Sequence, residues 1–181
     1  VPNILASVGE PDLSTTIFGK KIDMPLFLSP CAMQSLYTPE GDKASARAAE
    51  KHGTMYSMST MASFSIEEIA EISSGPKLFQ LYVHKDQSIT DDLIDRCKVA
   101  NFDGLCLTVD TLVAGNRERD HRTGFTTPPK LTLESLLSFA MRPEWVFKYF
   151  TNKKFELANI KNKTDKGTNI AKSVIDYINE Q

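Results

Sequence analysis

Four short apolar runs lie between Met24 and Val109, separated by three helix-forming stretches, and this alternation restricts the fold more than any other feature of the chain. The first run, Met24-Pro25-Leu26-Phe27-Leu28, is apolar on both faces, the pattern of a parallel strand buried under helices. Residues 40–52 form the first helical stretch, with Ala44 and Ala48 about one turn apart and Ala49 beside them. Gly53 follows, the residue that most readily takes the left-handed conformation of a helix C-cap. Residues 54–59 read as the second strand. Ser65-Ile66-Glu67-Glu68 then opens a helix with an N-cap hydroxyl and acids in the first turn. Lys77-Leu78-Phe79-Gln80-Leu81-Tyr82 is a third strand, residues 88–101 a helix with Ile89, Leu93, Ile94 and Cys97 on one face, and residues 104–109 a fourth strand. Upstream, Thr15-Thr16-Ile17-Phe18 and Lys20-Lys21-Ile22-Asp23 flank Gly19 as a hairpin.

Strand and helix alternating at this spacing predicts an α/β fold of parallel β/α units, either a doubly wound open sheet or part of a TIM (β/α)8 barrel. The polar residues favour the barrel. Ser59, Gln80 and Thr108 each sit near the C-terminal end of a strand, with Tyr82 and Asp110 two residues beyond Gln80 and Thr108. In a barrel those ends converge on one mouth, where active sites lie. After Asp110 the regularity stops. Residues 115–129 are polar and loop-like, and residues 131–150 are largely helical with an interruption at Pro143. Residues 152–168 are Lys- and Asn-rich and read as a mobile connection. The expected organisation is one partial domain over residues 1–181, holding about the first four β/α units, with a long loop and helical insertion over residues 110–170. The chain starts at Val1 and stops inside a helix-like stretch, so both ends read as cuts.

Composition narrows the function classes. A content of 41% hydrophobic and 24% charged residues in 181 is enough to build a core, so disorder is not expected. The net charge of −2, with both signs interspersed, supplies no basic surface for nucleic acid. Cys31, Cys97 and Cys106 show no metal-ligand spacing and read as reduced thiols, which points to a cytoplasmic setting. His52, His84 and His121 are too dispersed for a metal cluster; His52 reads as a helix-end residue and the other two as surface residues. No apolar run approaches the roughly 20 residues that span a bilayer. The aromatic stretch over residues 131–150, with Trp145, Phe147, Tyr149 and Phe150 followed by Lys153 and Lys154, could still touch a membrane surface peripherally; such a stripe is more often buried against its own domain.

Tyr82 and Asp110 are the sharpest chemical pair, a phenol and a carboxylate at neighbouring strand ends. The phenol can donate to a substrate oxygen, and the carboxylate can orient or charge-stabilise a histidine. The plainer alternative makes Tyr82 an amphipathic rim residue and Asp110 a turn cap. Ser59, Gln80 and Thr108 can both donate and accept, as the pyrimidine edge of a flavin requires, or they can simply satisfy loops. Arg117, Arg119 and Arg122 form a cationic stretch suited to a carboxylate or phosphate, or a solvated loop. No dinucleotide fingerprint or Walker loop is present.

Four motifs occur in consecutive order: Ser29-Pro30-Cys31-Ala32-Met33-Gln34, Phe79-Gln80-Leu81-Tyr82-Val83, Leu107-Thr108-Val109-Asp110-Thr111 and Gly115-Asn116-Arg117-Glu118-Arg119-Asp120. In order and spacing they resemble those of the FMN-dependent α-hydroxy-acid dehydrogenases and oxidases, over about residues 2–129. Residues 131–150 and 175–181 look most like the L-lactate dehydrogenase branch. The resemblance implies a TIM barrel with FMN as cofactor. The backbone of Pro30, Cys31 and Ala32 would lie against the flavin, and Ser59, Gln80 and Thr108 would bond its polar edge. Tyr82 would hydrogen-bond the substrate, and Asp110 would hold the catalytic histidine in its working tautomer. Arg117 would help receive the substrate carboxylate, and Met61 would stand near the substrate side chain, where glycolate oxidases have a tryptophan.

The implied reaction oxidises an L-2-hydroxy acid, L-lactate foremost, to the 2-oxo acid, with electrons passed on to quinone, cytochrome or oxygen. The implied setting is cytoplasmic or peripheral on an inner membrane, and the full-length protein is expected to form homo-oligomers. The family's flavin-binding lysine, catalytic histidine, substrate-binding arginine and phosphate-binding Gly/Arg segment have no counterpart in this chain, nor does an upstream tyrosine. These 181 residues alone are therefore expected to be inactive. Two other readings stand beside this one: a non-catalytic flavin-binding half-barrel completed by a partner chain, and an enzyme like the type 2 isopentenyl diphosphate isomerases.

Overall fold

The structure, a computed structural model, describes residues 9–110, 118–123, 132–152 and 155–160. It begins with an antiparallel hairpin, β1 (Thr15–Ile17) and β2 (Lys20–Ile22). The turn takes Phe18 and Gly19 to φ 49° and 73°, the left-handed pair whose twist matches the flanking strands. Four parallel strands follow in sequential order: β3 (Phe27–Leu28), β4 (Met55–Ser59), β5 (Lys77–Tyr82) and β6 (Gly104–Thr108). Their crossovers are α1 (Gly41–Lys51), preceded by a 3-10 turn at Gln34–Leu36, then α2 (Ile66–Ile72) and α3 (Gln87–Val99). Sequential order with no reversal is that of a barrel wall, whereas a doubly wound sheet reverses at its switch point. The fold is therefore α/β, an open arc of four parallel strands joined by three crossover helices.

The two faces of the arc differ. Strand alternation sends Tyr56, Met58, Phe79 and Leu81 to the helix side. There they pack with Ala46 and Ala49 of α1, Ile66 and Ile69 of α2, and Ile89, Leu93 and Cys97 of α3. Burial of this kind contributes about 1.5–3 kcal/mol per large side chain, and the Phe79 ring adds an edge-on contact with Phe102, centroids 6.2 Å apart. Burial also pushes the Cys97 thiol up to about 12, so it behaves as a small apolar group. The other face, the inside of the arc, carries Ser57, Ser59, Gln80 and Thr108.

The hairpin closes the N-terminal end of the arc. The Asp23 amide donates to the Gly53 carbonyl at 2.7 Å, Lys20 pairs with Asp103 at 3.5 Å, and the Phe18 ring lies beneath Gly104. At Gly53 (φ 59°) a Cβ would run into the Asp23 carboxylate, so the C-cap glycine is required by space as well as by conformation.

Several expectations need correction. Only Phe27 and Leu28 of the first apolar run pair, and Leu26 and Phe27 are exposed, because β3 has a neighbour on one side only and Pro25 lacks an amide hydrogen. In α1 the buried alanines are Ala46 and Ala49, while Ala44 and Ala48 face solvent. His84 is buried, because the turn into α3 draws its Nδ1 under the Asp86 amide, which donates to it at 3.1 Å. His121's side chain lies outside the described residues.

Residues 118–123, read as loop, form the helix α4 (Glu118–Thr123). The insertion then holds α5 (Leu133–Ala140) and α6 (Pro143–Thr151), with Pro143 at the first turn of α6, where its missing N–H is harmless. Residues 155–160, read as part of a mobile connection, are packed. Among the described residues, no helix is long and apolar enough to cross a membrane.

Candidate functional site

The register decides which polar side chains meet at the C-terminal edge of the sheet. Ser59 stands opposite Gln80, and Gln80 opposite Cys106, which puts Thr108 on the same face, one diagonal step from Gln80. The three form a continuous row: the Ser59 hydroxyl donates to Gln80 Oε1 at 3.2 Å, and Gln80 Nε2 donates to Thr108 Oγ1 at 2.5 Å. The second Gln80 N–H and the Thr108 hydroxyl proton are left for a ligand with acceptor atoms, and their lone pairs for one with donors. Ser59 and Gln80 are buried and Thr108 half-buried, so the row is fixed at its core and open at one end.

Thr60, which sequence reasoning missed, holds two of these strand ends together. Its amide and hydroxyl both donate to the Gln80 carbonyl, at 3.0 and 2.5 Å, and its Oγ1 accepts from the Tyr82 amide at 3.2 Å. The signal available was a hydroxyl directly after a strand, too common a pattern to single it out. Tyr82 ends β5 half-buried on the same face as Gln80. Met61 is half-buried; its amide donates to Ser59 Oγ at 3.2 Å, and its carbonyl accepts from the Met33 amide at 3.0 Å.

In the loop after β3, Pro30 and Cys31 are exposed and Ala32 half-buried. Gln34 Nε2 donates to the Cys31 carbonyl at 3.4 Å and is itself steadied by Ser45, whose hydroxyl donates to Gln34 Oε1 at 2.7 Å. This backbone therefore runs along the edge of the mouth with its surface uncovered. Asp110 is exposed two residues beyond β6, and Arg117 lies outside the described residues. Of the rest of the cationic stretch, Arg119 and Arg122 are exposed on α4, with Arg122 3.3 Å from Glu118.

A second buried group supports the edge from behind. Asp42, in the first turn of α1, accepts from the Ser63 amide at 2.9 Å and from the Tyr56 hydroxyl at 3.2 Å, and is fully buried. Burial pushes its carboxyl above the usual carboxylate range, and burial together with Asp42 pushes the Tyr56 phenol up. Among the described residues, no group of three His, Cys, Asp or Glu is placed to hold a metal.

This geometry fits a flat heterocycle with alternating donors and acceptors on one edge, lying across the strand ends with Tyr82 beside it. The family model described as FMN-dependent dehydrogenase matches residues 1–180. The glycolate oxidase of Spinacia oleracea is 45% identical over 134 residues, 74% of this chain and 36% of that protein. The L-lactate oxidase of Nostoc sp. is 42% identical over 143 residues, 77% of this chain and 39% of that one. The chain thus spans well under half the length of these curated relatives. Among solved structures, that of a monotopic membrane protein, (S)-mandelate dehydrogenase, superposes with a TM-score of 0.86 at 29% identity, covering 97% of this chain and 47% of the other.

Proposed function

Because this chain belongs to the FMN-dependent dehydrogenase family, in which the cofactor is FMN, we propose that the protein containing it oxidises a small L-2-hydroxy acid, L-lactate foremost, to the 2-oxo acid. The observation that carries the proposal is the Ser59, Gln80 and Thr108 row at the strand ends with Tyr82 on the same face. The row matches the polar edge of a flavin, and the uncovered backbone of Pro30, Cys31 and Ala32 offers it a flank. FMN held by these residues would supply two-electron redox chemistry, with a quinone, a cytochrome or oxygen as the final acceptor.

The chain's own residues bind and orient. Tyr82 donates its phenol hydrogen to a substrate oxygen, an interaction that strengthens as charge builds there. Arg117 receives the substrate carboxylate, and Met61 limits the room for the substrate side chain. Asp110, exposed at the rim, accepts from a histidine contributed by another part of the protein. It fixes the tautomer of that histidine and stabilises its charge once the histidine has taken the α-proton. Lactate ranks above glycolate because methionine at position 61 is soft and adaptable enough to pack against a methyl group.

The exposed apolar side chains of α5 and α6, among them Leu133, Leu137, Phe147 and Phe150, support peripheral contact with a membrane surface. Similarity to a mandelate dehydrogenase described as monotopic supports the same reading. A second reading, a flavin-binding half-barrel completed by a partner chain, is favoured by β6. Leu105 and Leu107 on its helix side are 43% and 54% exposed, with no described helix over them.

The deciding experiment purifies the full-length protein and measures bound FMN, co-purifying chains and oxidation of L-lactate, glycolate and (S)-mandelate with an artificial electron acceptor. FMN with highest kcat/KM on L-lactate is expected. Preference for another acid overturns the substrate assignment. Flavin without any turnover, alongside a distinct partner chain, favours the half-barrel.

A further inference from the structure

Residues 155–160 lie far along the chain from the strands, yet they cover the ends of three of them. Phe155, Leu157 and Ile160 are buried together against Met33, Leu36, Met61 and Tyr82, side chains from the segments after β3 and β4 and from the last residue of β5. The segment is also pinned from outside. Asn159 Oδ1 accepts from the Ile66 amide at 3.0 Å and from Arg96 Nη2 at 3.2 Å. Its Nδ2 donates to the Phe64 carbonyl at 3.3 Å, and its own carbonyl accepts from Arg96 Nη1 at 3.2 Å. Arg96 is held in turn by Glu67, through contacts of 2.6 and 2.8 Å. An asparagine bonded at both ends of its amide and along its backbone, from α2 and α3 at once, fixes the segment against the sheet.

We propose that residues 155–160 form a wall behind Met61 and Tyr82, in which Leu157 and Ile160 act as positioning residues that set how large a 2-hydroxy-acid side chain the mouth accepts. This rests on the assignment of Met61 and Tyr82 to the substrate side. Interiors are close-packed, so volume removed behind a side chain is recovered in part by its retreat, the rest remaining as a cavity. Shortening Leu157 lets Met61 and Tyr82 settle back and enlarges the substrate side, and a chain of similar volume restores their reach.

The test uses the full-length protein with Leu157→Ala, Leu157→Val and Leu157→Met, each checked for bound FMN, and compares kcat and KM on L-lactate and (S)-mandelate. The expected result for Leu157→Ala is a mandelate-to-lactate ratio of kcat/KM raised roughly 10-fold, the scale on which pockets discriminate side-chain volume. Leu157→Val should change the ratio in the same direction by less, and Leu157→Met should restore it. If Leu157→Ala does not fold, Leu157→Val carries the test. An FMN-loaded variant with an unchanged ratio, or an equal loss of kcat on both acids, overturns the proposal and leaves the segment a structural support. A wild-type protein that oxidises neither acid fails the underlying substrate-side reading, a result separable from the first because it appears before any substitution is made.

Discussion

Gln80 holds the polar row together, since its amide oxygen and nitrogen are committed to Ser59 and Thr108 respectively. Gln80→Leu keeps most of the volume and removes both bonds, leaving a buried serine hydroxyl without its acceptor, at a cost of about 1–3 kcal/mol. Flavin titration of the full-length variant is expected to show FMN bound roughly 10-fold more weakly or worse; an unchanged dissociation constant would remove Gln80 from the cofactor site.

Asp42 makes a different prediction, through pH. Its folded pKa is raised above the ordinary 3.8 by burial, so its contribution to stability is fully present below 3.8 and is lost as pH rises through the higher folded value. Relative to Asp42→Asn, the wild type should therefore be favoured most in acid and progressively less as pH rises from 3.8 through the folded value, as read from urea midpoints at several pH values. A difference that grows with pH would show that the two hydrogen bonds outweigh the burial. Neither Asp42 nor Thr60 was legible beforehand, because a first-turn acid and a post-strand hydroxyl are ordinary on solvated surfaces and acquire significance only once covered.

Among the elements, α2 is the clearest case of local sequence specifying local structure. Ser65 accepts from the Glu68 amide at 3.1 Å while Glu68 accepts from the Ser65 amide at 2.9 Å, the reciprocal box that the Ser-Ile-Glu-Glu string encodes. Ser65→Ala should lower stability by about 1 kcal/mol, measured by denaturant unfolding; no loss would mean that packing of Ile66 and Ile69 alone sets the start of the helix.

The link from α2 to α3 depends on Glu67, whose carboxyl the Arg96 guanidinium holds down at about 2. This shift has the opposite sign to that of Asp42. The stabilisation is present above the ordinary 4.5 and is lost as pH falls towards about 2. Glu67 is half exposed, so solvent screening keeps the effect below about 1 kcal/mol. Glu67→Gln should abolish that acid-side dependence, and a variant that retains it would place the titration elsewhere.

At the scale of the whole molecule, the helix side of β6 and the outer faces of α5 and α6 are apolar surfaces left uncovered by the described residues. Leu133, Leu137 and Phe150 are 82%, 67% and 80% exposed, and Leu137→Ser with Phe150→Ser should reduce co-sedimentation of the full-length protein with lipid vesicles; retention of binding would show that this surface is not the lipid contact. The order and type of the four strands and three crossover helices were legible in the sequence, because hydrophobic period, capping residues and turn glycines act within a few residues of one another. So was the placement of Ser59, Gln80, Thr108 and Tyr82 at strand ends. Tertiary structure decided the rest: the sequential strand order that selects the barrel wall, the register that sets Gln80 against Thr108, the burial of His84 and Asp42, and the return of residues 155–160 onto Met61 and Tyr82. Periodicity reports which face of an element is apolar. It carries no information about what will cover that face, because the covering residues can lie as far along the chain as Ile160 does from Met33 and meet it only after the chain has folded.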